Sequence, residues 1–552
     1  MTRNDRHTVR ALFLLGANDG VLPAAENRGG VLRDEDREAL ERQQIFLAPH
    51  GMEQFHLEIQ NLYAALAQPT EKLTVSYPVS DGKGAEKRPS FVIGRIARLL
   101  PSISVETESA DKEYRLSAKS TALEYAGEHI GGALWQYFEG QGDAERALAA
   151  MKDASRYTRG HLSRDAVHAL YGGAVTLSAS RMDMARSCHF AYFMRYGLKA
   201  RERTGAGFDA PQIGTFVHDV MEHTLRQAKE CGGLHTLSKD KQHALVRASI
   251  EEYIDRVLPD LCEKSARFRY LFNRLCATVE RIMDEVSEEL QSSDFEPLAF
   301  ELEFGADGQL PAITIREENG TARVVGKVDR VDGWLHDGKL YLRVVDYKTG
   351  KKSFDLAELR YGLGLQMLLY LFTLKEEGQM LFGGHEIVPA GVLYTPAREP
   401  MLRCARDTEP EKIEKALKKE LRRSGMVLED PAVLQAMEHS ALESPCYLPI
   451  AVKRDGAVTG SLASAEQLGK LSKYVDHILH EITQEVFAGN IDADPYARTP
   501  QQSACTYCEF ASACHFENGC GSDRMEYIKA TKNDEFWQYI DEVNGEGAHE
   551  NG

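Results

Sequence analysis

Two aspartates and one lysine stand at the ends of two neighbouring strand-like segments, where together they could hydrolyse a phosphodiester bond. Asp329 lies in GKVDRVD (326–332), and Asp346 and Lys348 lie in LRVVDYKTG (342–350). Strand residues two apart share one face, so Asp346 and Lys348 point the same way, and a hairpin can bring Asp329 beside them. Carboxylates hold Mg²⁺, which lowers the pKa of a bound water, and a lysine can orient that water or offset charge on the phosphate.

A single Asp-x-Lys is more often an ordinary exposed strand end, so this interpretation depends on further residues. His218 lies in a helical run after a glycine turn, IGTFVH, and Glu301 lies in the strand-like FELEF, where Glu303 is its rival. Gln366 and Tyr370 are four residues apart on the next predicted helix and therefore share one face. Taken alone, His218 would more often be a satisfied helix histidine, and Gln366 an ordinary surface or capping group.

The motif order H…E…G-x-V/I-D…D-Y-K-T-G…Q-x-x-x-Y resembles the RecB-type branch of the PD-(D/E)XK nuclease superfamily, over residues 176–400 plus a downstream cysteine segment. The resemblance implies a metal-dependent exonuclease that cuts single-stranded DNA, with a mixed central sheet flanked by helices. It also implies a Mg²⁺ ion bound by the side chains of His218, Asp329 and Asp346 and by the backbone carbonyl of Tyr347. Lys348 would be the catalytic lysine, and Glu301 would help to organise the metal and its water. Gln366 and Tyr370 would support the site or the DNA backbone.

Four of the ten cysteines fall in one short segment near the C-terminus. Cys505, Cys508 and Cys514 have a spacing at which thiolates wrap a metal ion or cluster, and a fourth ligand is needed. Cys520 is the local candidate, which would make the segment a zinc knuckle that binds DNA, and Cys188 in SCHFAYFMRYGLK is the distant one. Spacing alone leaves both open, although clustered cysteines in a reducing setting more often bind metal than form disulfides.

The segment S-C-x-F-x-Y-F-x-R-Y-G-L-K around Cys188 is similar to that of the AddB subunits of bacterial helicase–nucleases. In that family one cysteine upstream of the nuclease core and three downstream hold a [4Fe–4S] cluster. The resemblance therefore implies a cluster bound by Cys188, Cys505, Cys508 and Cys514. Such a cluster would act as a structural staple, because it closes a loop over the whole nuclease core and so lowers the entropy of the unfolded chain.

The N-terminal segment LFLLGANDGVLPA (12–24) also resembles AddB, where it belongs to the second half of a superfamily 1 helicase-like motor. NLYAALAQPTEKLTVSYP (61–78) occupies the place of helicase motif VI, but the arginine that reaches the ATP phosphates in active motors is absent. No GxxxxGK(S/T) loop exists either, so we expect no ATPase activity from this chain alone. The sequence begins inside the motor-like region, as would a truncated, split or reduced member of the family.

Composition and patterning indicate an α/β protein of several domains. Of the 552 residues, 43% are hydrophobic and 27% charged, which is ordinary for a globular chain. Four parts are predicted: a partial, degenerate helicase-like region (1–105), a helical connector (106–170), the nuclease domain with its iron–sulfur staple (171–525) and an acidic tail (526–552). Within the nuclease domain, residues 356–376 are predicted to form one strongly apolar helix.

The net charge of −18 argues against a chain coated with phosphate over its whole surface, but it leaves room for a local basic path. Lys199 and Arg201, after the upstream cysteine, and Lys351 and Lys352, after the catalytic lysine, are the candidate DNA contacts. No apolar run is long enough to span a membrane, and the N-terminus does not read as a signal peptide. These features predict a cytoplasmic protein.

The resemblance to AddB implies a heterodimer with an AddA-type helicase–nuclease subunit. That partner's ATP-driven motor would unwind duplex DNA at double-strand breaks for recombinational repair and so supply single-stranded ends. Two other functions stay open. A stand-alone iron–sulfur exonuclease of the kind used in CRISPR adaptation would lack the motor remnant, and a non-catalytic DNA-binding scaffold would not need intact Asp329, Asp346 and Lys348.

Overall fold

The computed structural model divides the chain into two compact units, Met1–Ala154 and Ser155–Gly552. The residues it describes are 8–24, 32, 34–48, 51–80, 86–107, 115–156, 158–201, 210–260, 264–306, 308–350, 352–405, 408–499 and 501–545. Within these ranges, no helix combines the length and the apolar character that crossing a membrane requires.

The first unit contains two parallel strands, with helices between and after them. Its elements are β1 (Val9–Leu14), α1 (Asp34–Arg42), α2 (Gly51–Leu66), β2 (Pro69–Val75), α3 (Phe91–Leu99), α4 (Lys119–Glu128), α5 (Ala133–Phe138) and α6 (Asp143–Ser155). The two strands pair with each other from Val9 and Pro69 to Leu14 and Val75. Leu14, Leu62 and Val92 form a small core between strand and helices, as expected of an α/β unit.

A six-stranded mixed sheet forms the centre of the second unit. The strands of this unit are β3 (Ala174–Leu177), β4 (Glu296–Phe304), β5 (Ile313–Glu317), β6 (Gly320–Val324), β7 (Gly326–His336), β8 (Lys339–Lys348), β9 (Glu386–Pro396), β10 (Ser424–Leu428), β11 (Ile450–Val452), β12 (Val458–Gly460), β13 (Leu462–Ala463), β14 (Tyr496–Thr499), β15 (Gln502–Ser503) and β16 (Glu526–Tyr527). The large sheet has the order β13-β10-β9-β8-β7-β4. Strands β8 and β9 are parallel, whereas β7 is antiparallel to both β8 and β4. The predicted mixed central sheet is therefore confirmed.

Helices pack against this sheet in two hydrophobic cores. The helical elements of the second unit are α7 (Arg164–Tyr171), α8 (Ala179–Ser187), α9 (His189–Tyr192), a π-helical turn (Phe193–Gly197), α10 (Ala210–Glu230), a 3₁₀ turn (Leu234–Thr236), α11 (Lys239–Val257), α12 (Ala266–Gln291), α13 (Leu356–Arg360), α14 (Gln366–Glu377), α15 (Pro410–Glu420), α16 (Pro431–Met437), α17 (Ala465–Phe487), α18 (Ala511–Cys514) and α19 (Asn533–Val543). The main core joins α14 and α17 to the sheet. Helices α10, α11 and α12 form the second core together with Phe300 and Tyr347 from the strands.

The apolar segment 356–376 forms two helices, α13 and α14, so the prediction of a single helix is wrong. Gly362 and Gly364 between them have φ values of 74° and 69°, which residues with a side chain rarely adopt. The Gly364 N–H donates a hydrogen bond of 2.9 Å to the Asp183 carboxylate, which holds the turn. Gln366 therefore begins a helix instead of lying in the middle of one.

Candidate functional site

Three carboxylates lie in a row across strands β4, β7 and β8. Strand β4 pairs with β7 on both sides of Glu301, as Phe300 with Arg330 and Leu302 with Val328, so Glu301 lies opposite Asp329. The β7–β8 register, continued by one residue beyond its last pair, places Asp346 opposite Asp329. Where that ladder ends, the Asp329 carboxylate accepts the N–H of Tyr347 at 2.9 Å. The end of the sheet thus gathers acidic side chains that are far apart in the chain.

Helix α10 brings His218 to the same place. Its Nδ1 lies 3.2 Å from Asp329 Oδ2 and 3.9 Å from Glu301 Oε1, and its Nε2 donates to the Tyr347 carbonyl at 2.9 Å. Burial lowers the pKa of His218, but the hydrogen bond and charge of Asp329, with the charges of Asp346 and Glu301, outweigh burial and raise the pKa to about 9. One donor atom from each of His218, Glu301 and Asp329 lies within 4.8 Å of the others, close enough to share a metal ion.

Asp346 and Lys348 project from the end of β8, two residues apart as the strand pattern predicts. The Lys348 Nζ lies 2.7 Å from Asp346 Oδ2, and the lysine side chain is 30% exposed while the aspartate is buried. Burial, followed by the charge of Asp329, raises the pKa of Asp346 to about 6 against the opposing effect of Lys348. Among the described residues, no group donates a well-oriented hydrogen bond to Asp346 Oδ2. This oxygen therefore contacts the positively charged ammonium group of Lys348.

Gln366 and Tyr370 share one face of α14, and their side chains contact each other. The Gln366 Nε2 donates to the Tyr370 hydroxyl at 3.2 Å, and the Tyr370 ring packs edge-on against Phe304 with ring centroids 5.2 Å apart. Burial raises the pKa of Tyr370, although its hydroxyl also accepts the backbone N–H of Lys327, which lowers it. The pair therefore supports strand β7 two residues before Asp329.

Lys327 is a second lysine at the site, and the sequence motifs did not indicate it. Its Nζ lies 2.8 Å from Glu301 Oε2 and 3.4 Å from Glu303 Oε1. Its position two residues before Asp329 is the signal that could have found it, because strand residues two apart share a face. Glu303 contacts this lysine but does not join the group of donor atoms around His218, so the structure favours Glu301 over its rival.

A fully buried ion cluster next to the site was also missed. Its members are Glu289, Arg330, Asp332, Arg343 and Arg423. Arg330 donates to the Tyr347 hydroxyl at 2.8 Å, and Arg423 Nη2 lies 2.7 Å from Glu289. Burial raises the pKa of Glu289, but three guanidinium groups outweigh this effect and lower it. The sequence did contain a signal for this cluster, because β7 has charged residues in an otherwise apolar strand and a buried charge requires a partner.

Four cysteines line one cavity of about 580 Å³ in the second unit, and these are Cys188, Cys505, Cys508 and Cys514. Burial raises the pKa of Cys188 to about 12 and that of Cys505 to about 11, so these thiols need a compensating cation to ionise at neutral pH. Cys520 is exposed and does not line the cavity. The geometry therefore groups the distant cysteine, and not the local fourth one, with the three clustered thiols.

Arg159 ties this cysteine segment to an earlier part of the chain. Its guanidinium lies 2.7 Å from the Asp523 carboxylate, donates to the Cys514 carbonyl at 2.9 Å and stacks over the Phe190 ring at 4.5 Å. The Phe190 N–H in turn donates to the Asp492 carbonyl at 2.9 Å. The cavity wall is thus built from two chain segments that are held together by polar contacts.

Of the four basic residues that are candidate DNA contacts, three are described. The Lys352 Nζ lies 3.8 Å from Glu358, shortly after the strand that carries the site. Lys199 and Arg201 are exposed and follow the π-helical turn after the upstream cysteine. Lys351 lies outside the described residues.

Comparisons with known proteins show the family to which the chain belongs. The sequence profile of the PD-(D/E)XK nuclease superfamily matches residues 176–515, which contain the carboxylate row, Lys348 and the cysteines of the cavity. The chain is also similar to bacterial proteins that are named as subunits of an ATP-dependent helicase/deoxyribonuclease. It is 31% identical to the one from Ruminiclostridium cellulolyticum over 97% of its own length, 32% to the one from Acetivibrio thermocellus over 98%, and 29% to the one from Thermoanaerobacter sp. (strain X514) over 99%.

The chain spans 49% of the length of each of these relatives. The resemblance to AddB-type subunits, found from the motifs, is confirmed by similarity over nearly the whole of this sequence. Because the superfamily profile covers well over half of the chain and includes the site described above, the chain belongs to the PD-(D/E)XK nuclease superfamily.

Proposed function

We propose that this chain is a Mg²⁺-dependent deoxyribonuclease that cuts single-stranded DNA as an exonuclease. The observation that carries the proposal is the row formed by Glu301, Asp329 and Asp346, with Lys348 and His218 against it. Carboxylates, an imidazole and an ammonium group at this spacing are the groups that hydrolysis of a phosphodiester needs.

Three members of the donor set fit one divalent cation, because His218, Glu301 and Asp329 each place a donor atom within 4.8 Å of the others, whereas Asp346 lies outside this group. Asp329 and Asp346 offer the oxygen ligands that Mg²⁺ prefers. Burial, followed by the charge of Asp329, raises the pKa of Asp346, and a cation would relieve the repulsion between the two carboxylates. The proposed ligands are His218, Asp329, Asp346 and the carbonyl of Tyr347, with Glu301 organising the ion and its water. When bound, Mg²⁺ supplies Lewis acidity, which lowers the pKa of water and offsets charge on the phosphate.

Lys348 is the catalytic lysine of this proposal. Its ammonium lies 2.7 Å from Asp346 and 5.7 Å from the centre of the Tyr394 ring, so these neighbours hold it in place while 30% of the side chain stays exposed to a substrate. From there it donates a hydrogen bond to the scissile phosphate and stabilises the charge that develops on the phosphate oxygens. Gln366 and Tyr370 hold strand β7, and therefore Asp329, in position.

A [4Fe–4S] cluster bound by Cys188, Cys505, Cys508 and Cys514 is part of the proposal. The support is that these thiols share one cavity while Cys520 lies outside it. Four thiolates are the usual ligand set of such a cluster, and binding must ionise thiols whose pKa values burial has raised. The cluster would staple helices α8 and α9 to the C-terminal segment. A zinc ion in the same cavity would lack the visible absorbance of iron bound to thiolate.

The name of the relatives supports a motor partner. The chain would form a heterodimer with an AddA-type helicase–nuclease subunit in the cytoplasm, and the partner would unwind duplex DNA at double-strand breaks for recombinational repair. The first unit would be a helicase-like remnant without ATPase activity. The residues proposed to contact the backbone of the single strand are Lys199, Arg201, Lys351 and Lys352, and such contacts would make DNA affinity fall as salt rises.

The test compares the wild-type chain with two variants in degradation of end-labelled single-stranded DNA with Mg²⁺. Asp346→Asn removes the proposed ligand. Asp337→Asn is the matched control, because Asp337 lies 89% exposed in the β7–β8 turn at a φ of 49° that asparagine adopts readily. We expect equal cutting by wild type and control, no cutting in EDTA, and a loss of about 100-fold or more in Asp346→Asn.

Equal cutting by all three proteins would mean that the activity comes from another protein and would refute the assignment. If none of the three proteins cuts DNA, their binding of Mn²⁺ and single-stranded DNA tests the proposal instead. Wild-type chain that binds neither Mn²⁺ nor single-stranded DNA would contradict the proposed function. Binding of both, with Mn²⁺ binding lost in Asp346→Asn, would support the site and place the missing requirement in the motor partner.

A further inference from the structure

We propose that Lys327 is a positioning residue for Glu301, the residue proposed above to organise the metal ion and its water, and that it holds Glu301 where the free carboxylate oxygen can also bind the ion. This inference rests on the proposed metal-dependent function. Lys327 precedes Asp329 by two residues on β7 and pairs with Glu303 across the ladder to β4. Its ammonium lies 2.8 Å from Glu301 Oε2, whereas Glu301 Oε1 faces His218 Nδ1 at 3.9 Å. One carboxylate oxygen is thus taken by the lysine, and the other is left for the position between the histidine and Asp329.

The backbone of Glu301 shows why this side chain needs to be held. Its φ of 49° lies in the left-handed region although the residue is inside β4, and a residue with a side chain stays there only where its surroundings enforce it. Glu301 also stands opposite Asp329, so like-charge repulsion pushes its carboxylate away from the metal position. An ammonium group on the far oxygen opposes that repulsion.

An ammonium beside a metal ligand can also compete with the cation, and the geometry distinguishes the two roles. The Lys327 side chain is 47% exposed, whereas that of Glu301 is only 13% exposed. A second contact of 3.4 Å to Glu303, itself 54% exposed, keeps the ammonium on the solvent side of Glu301. The other oxygen of the Glu301 carboxylate, Oε1, is the one that faces His218 Nδ1. If Lys327 positions Glu301, its removal should weaken metal binding. If Lys327 instead competed with the cation for Glu301, its removal would strengthen metal binding.

The expected size of the effect follows from the behaviour of groups that orient metal ligands. Loss of such a group typically costs 10- to 100-fold in metal affinity. Because Lys327 is half exposed and water can replace part of its contact, we expect the lower end, about tenfold.

The test is Mn²⁺ binding to the full chain, measured by electron paramagnetic resonance of the free ion. Lys327→Met removes the ammonium, and Lys327→Arg restores a positive charge near Glu301. Lys339→Met is the matched control, because Lys339 lies on the same sheet, is also 47% exposed and pairs with Glu386 at 2.9 Å, but begins β8 at the end opposite to Lys348. We expect the Kd for Mn²⁺ to rise about tenfold in Lys327→Met, to recover in part in Lys327→Arg, and to stay at the wild-type value in Lys339→Met.

A second readout separates positioning from general loss of structure. In Lys327→Met the Mg²⁺ concentration for half-maximal cleavage should rise about tenfold, while the rate at saturating Mg²⁺ stays near that of wild type. A merely structural role would lower the saturated rate and leave the Mg²⁺ requirement unchanged. If Lys327→Met does not fold, as judged by circular dichroism, Lys327→Gln takes its place.

Unchanged or tighter Mn²⁺ binding in the Lys327 variant would overturn the inference. His218→Ala and Asp329→Ala distinguish this result from failure of the proposed function. If both of these variants lose Mn²⁺ and the Lys327 variant does not, only the positioning role is wrong. If they bind Mn²⁺ like wild type, the ion lies elsewhere and the proposed function fails as well.

Discussion

Cys188→Ser is a perturbation whose effect depends on the geometry of the cysteine cavity. Cys188 is buried and directly precedes helix α9, yet it lines the same cavity as Cys505, Cys508 and Cys514. The neighbouring His189 N–H donates to the Asp494 carboxylate at 2.9 Å, so this part of the chain already contacts the C-terminal segment. A cluster in the cavity would add a covalent link between them, and the serine variant removes that link.

The magnitude follows from the length of the loop that the link closes. Between Cys188 and Cys505 the loop contains roughly 320 residues, for which the chain-entropy relation gives a stabilisation of about 5 to 6 kcal/mol. A unit of roughly 400 residues has an entropy of unfolding of about 0.8 kcal/mol/K, so losing this stabilisation lowers the Tm by about 7 °C. We therefore expect a fall in Tm of about 7 °C in Cys188→Ser.

The assay measures iron, acid-labile sulfide and Tm in the wild type and three serine variants. Cys520→Ser controls for loss of a thiol outside the cavity. Cys276→Ser controls for the cost of placing a hydroxyl in a partly buried position. Cys276 lies in α12 and does not line the cavity, and burial raises its pKa to about 11. Only Cys188→Ser should lose iron and sulfide. The reasoning is refuted if Cys520→Ser loses iron and Cys188→Ser retains it, or if the wild type holds zinc.

Two further predictions concern the ion cluster and the metal centre. Glu289→Gln leaves buried guanidinium groups, including that of Arg423, without their shared carboxylate, so the free energy of unfolding should fall by about 3 to 5 kcal/mol. Glu288→Gln, at the exposed neighbouring position, should change it by less than about 0.5 kcal/mol; urea unfolding measures both, and equal losses would contradict the role of the cluster. Mn²⁺ affinity should increase as pH rises from 6 to 9, because bound ligands must be deprotonated and the pKa values of Asp346 and His218 are about 6 and about 9. Mn²⁺ titrations at constant ionic strength check this, and a flat profile would exclude both residues as ligands.

The strand end that carries the site could be predicted because its signal is local. Alternation along a strand places Asp346 and Lys348 on one side, and a hairpin is enough to bring Asp329 opposite them. His218 comes from a helix much earlier in the chain, so no local rule connects it to the strands. Motif order supplied that connection, and the observed 3.2 Å contact with Asp329 agrees with it.

The features that were missed depend on backbone angles and on contacts between distant segments. Positive φ values at Gly362 and Gly364 divide a segment whose apolar pattern is continuous, and a hydrophobicity pattern does not contain that information. The partner of Arg330 and Arg343 is Glu289, which comes from helix α12. A charge in an apolar strand indicates that a partner must exist, but only the packing of helix on sheet shows which residue it is.

Before a cation binds, the acidic and basic side chains at the site largely offset each other's charge. Four carboxylates lie against three basic groups, and these are Glu301, Glu303, Asp329 and Asp346 against Lys327, Lys348 and His218. With the pKa of His218 raised to about 9, the histidine is protonated at neutral pH, so a cation that takes its nitrogen must displace a proton. A cation that binds as proposed would enter a site of low net charge, so its affinity should depend on how well each ligand is oriented more than on total charge. Under this proposal, one half-exposed lysine that holds one carboxylate has more influence on metal binding than the chain's net charge of −18.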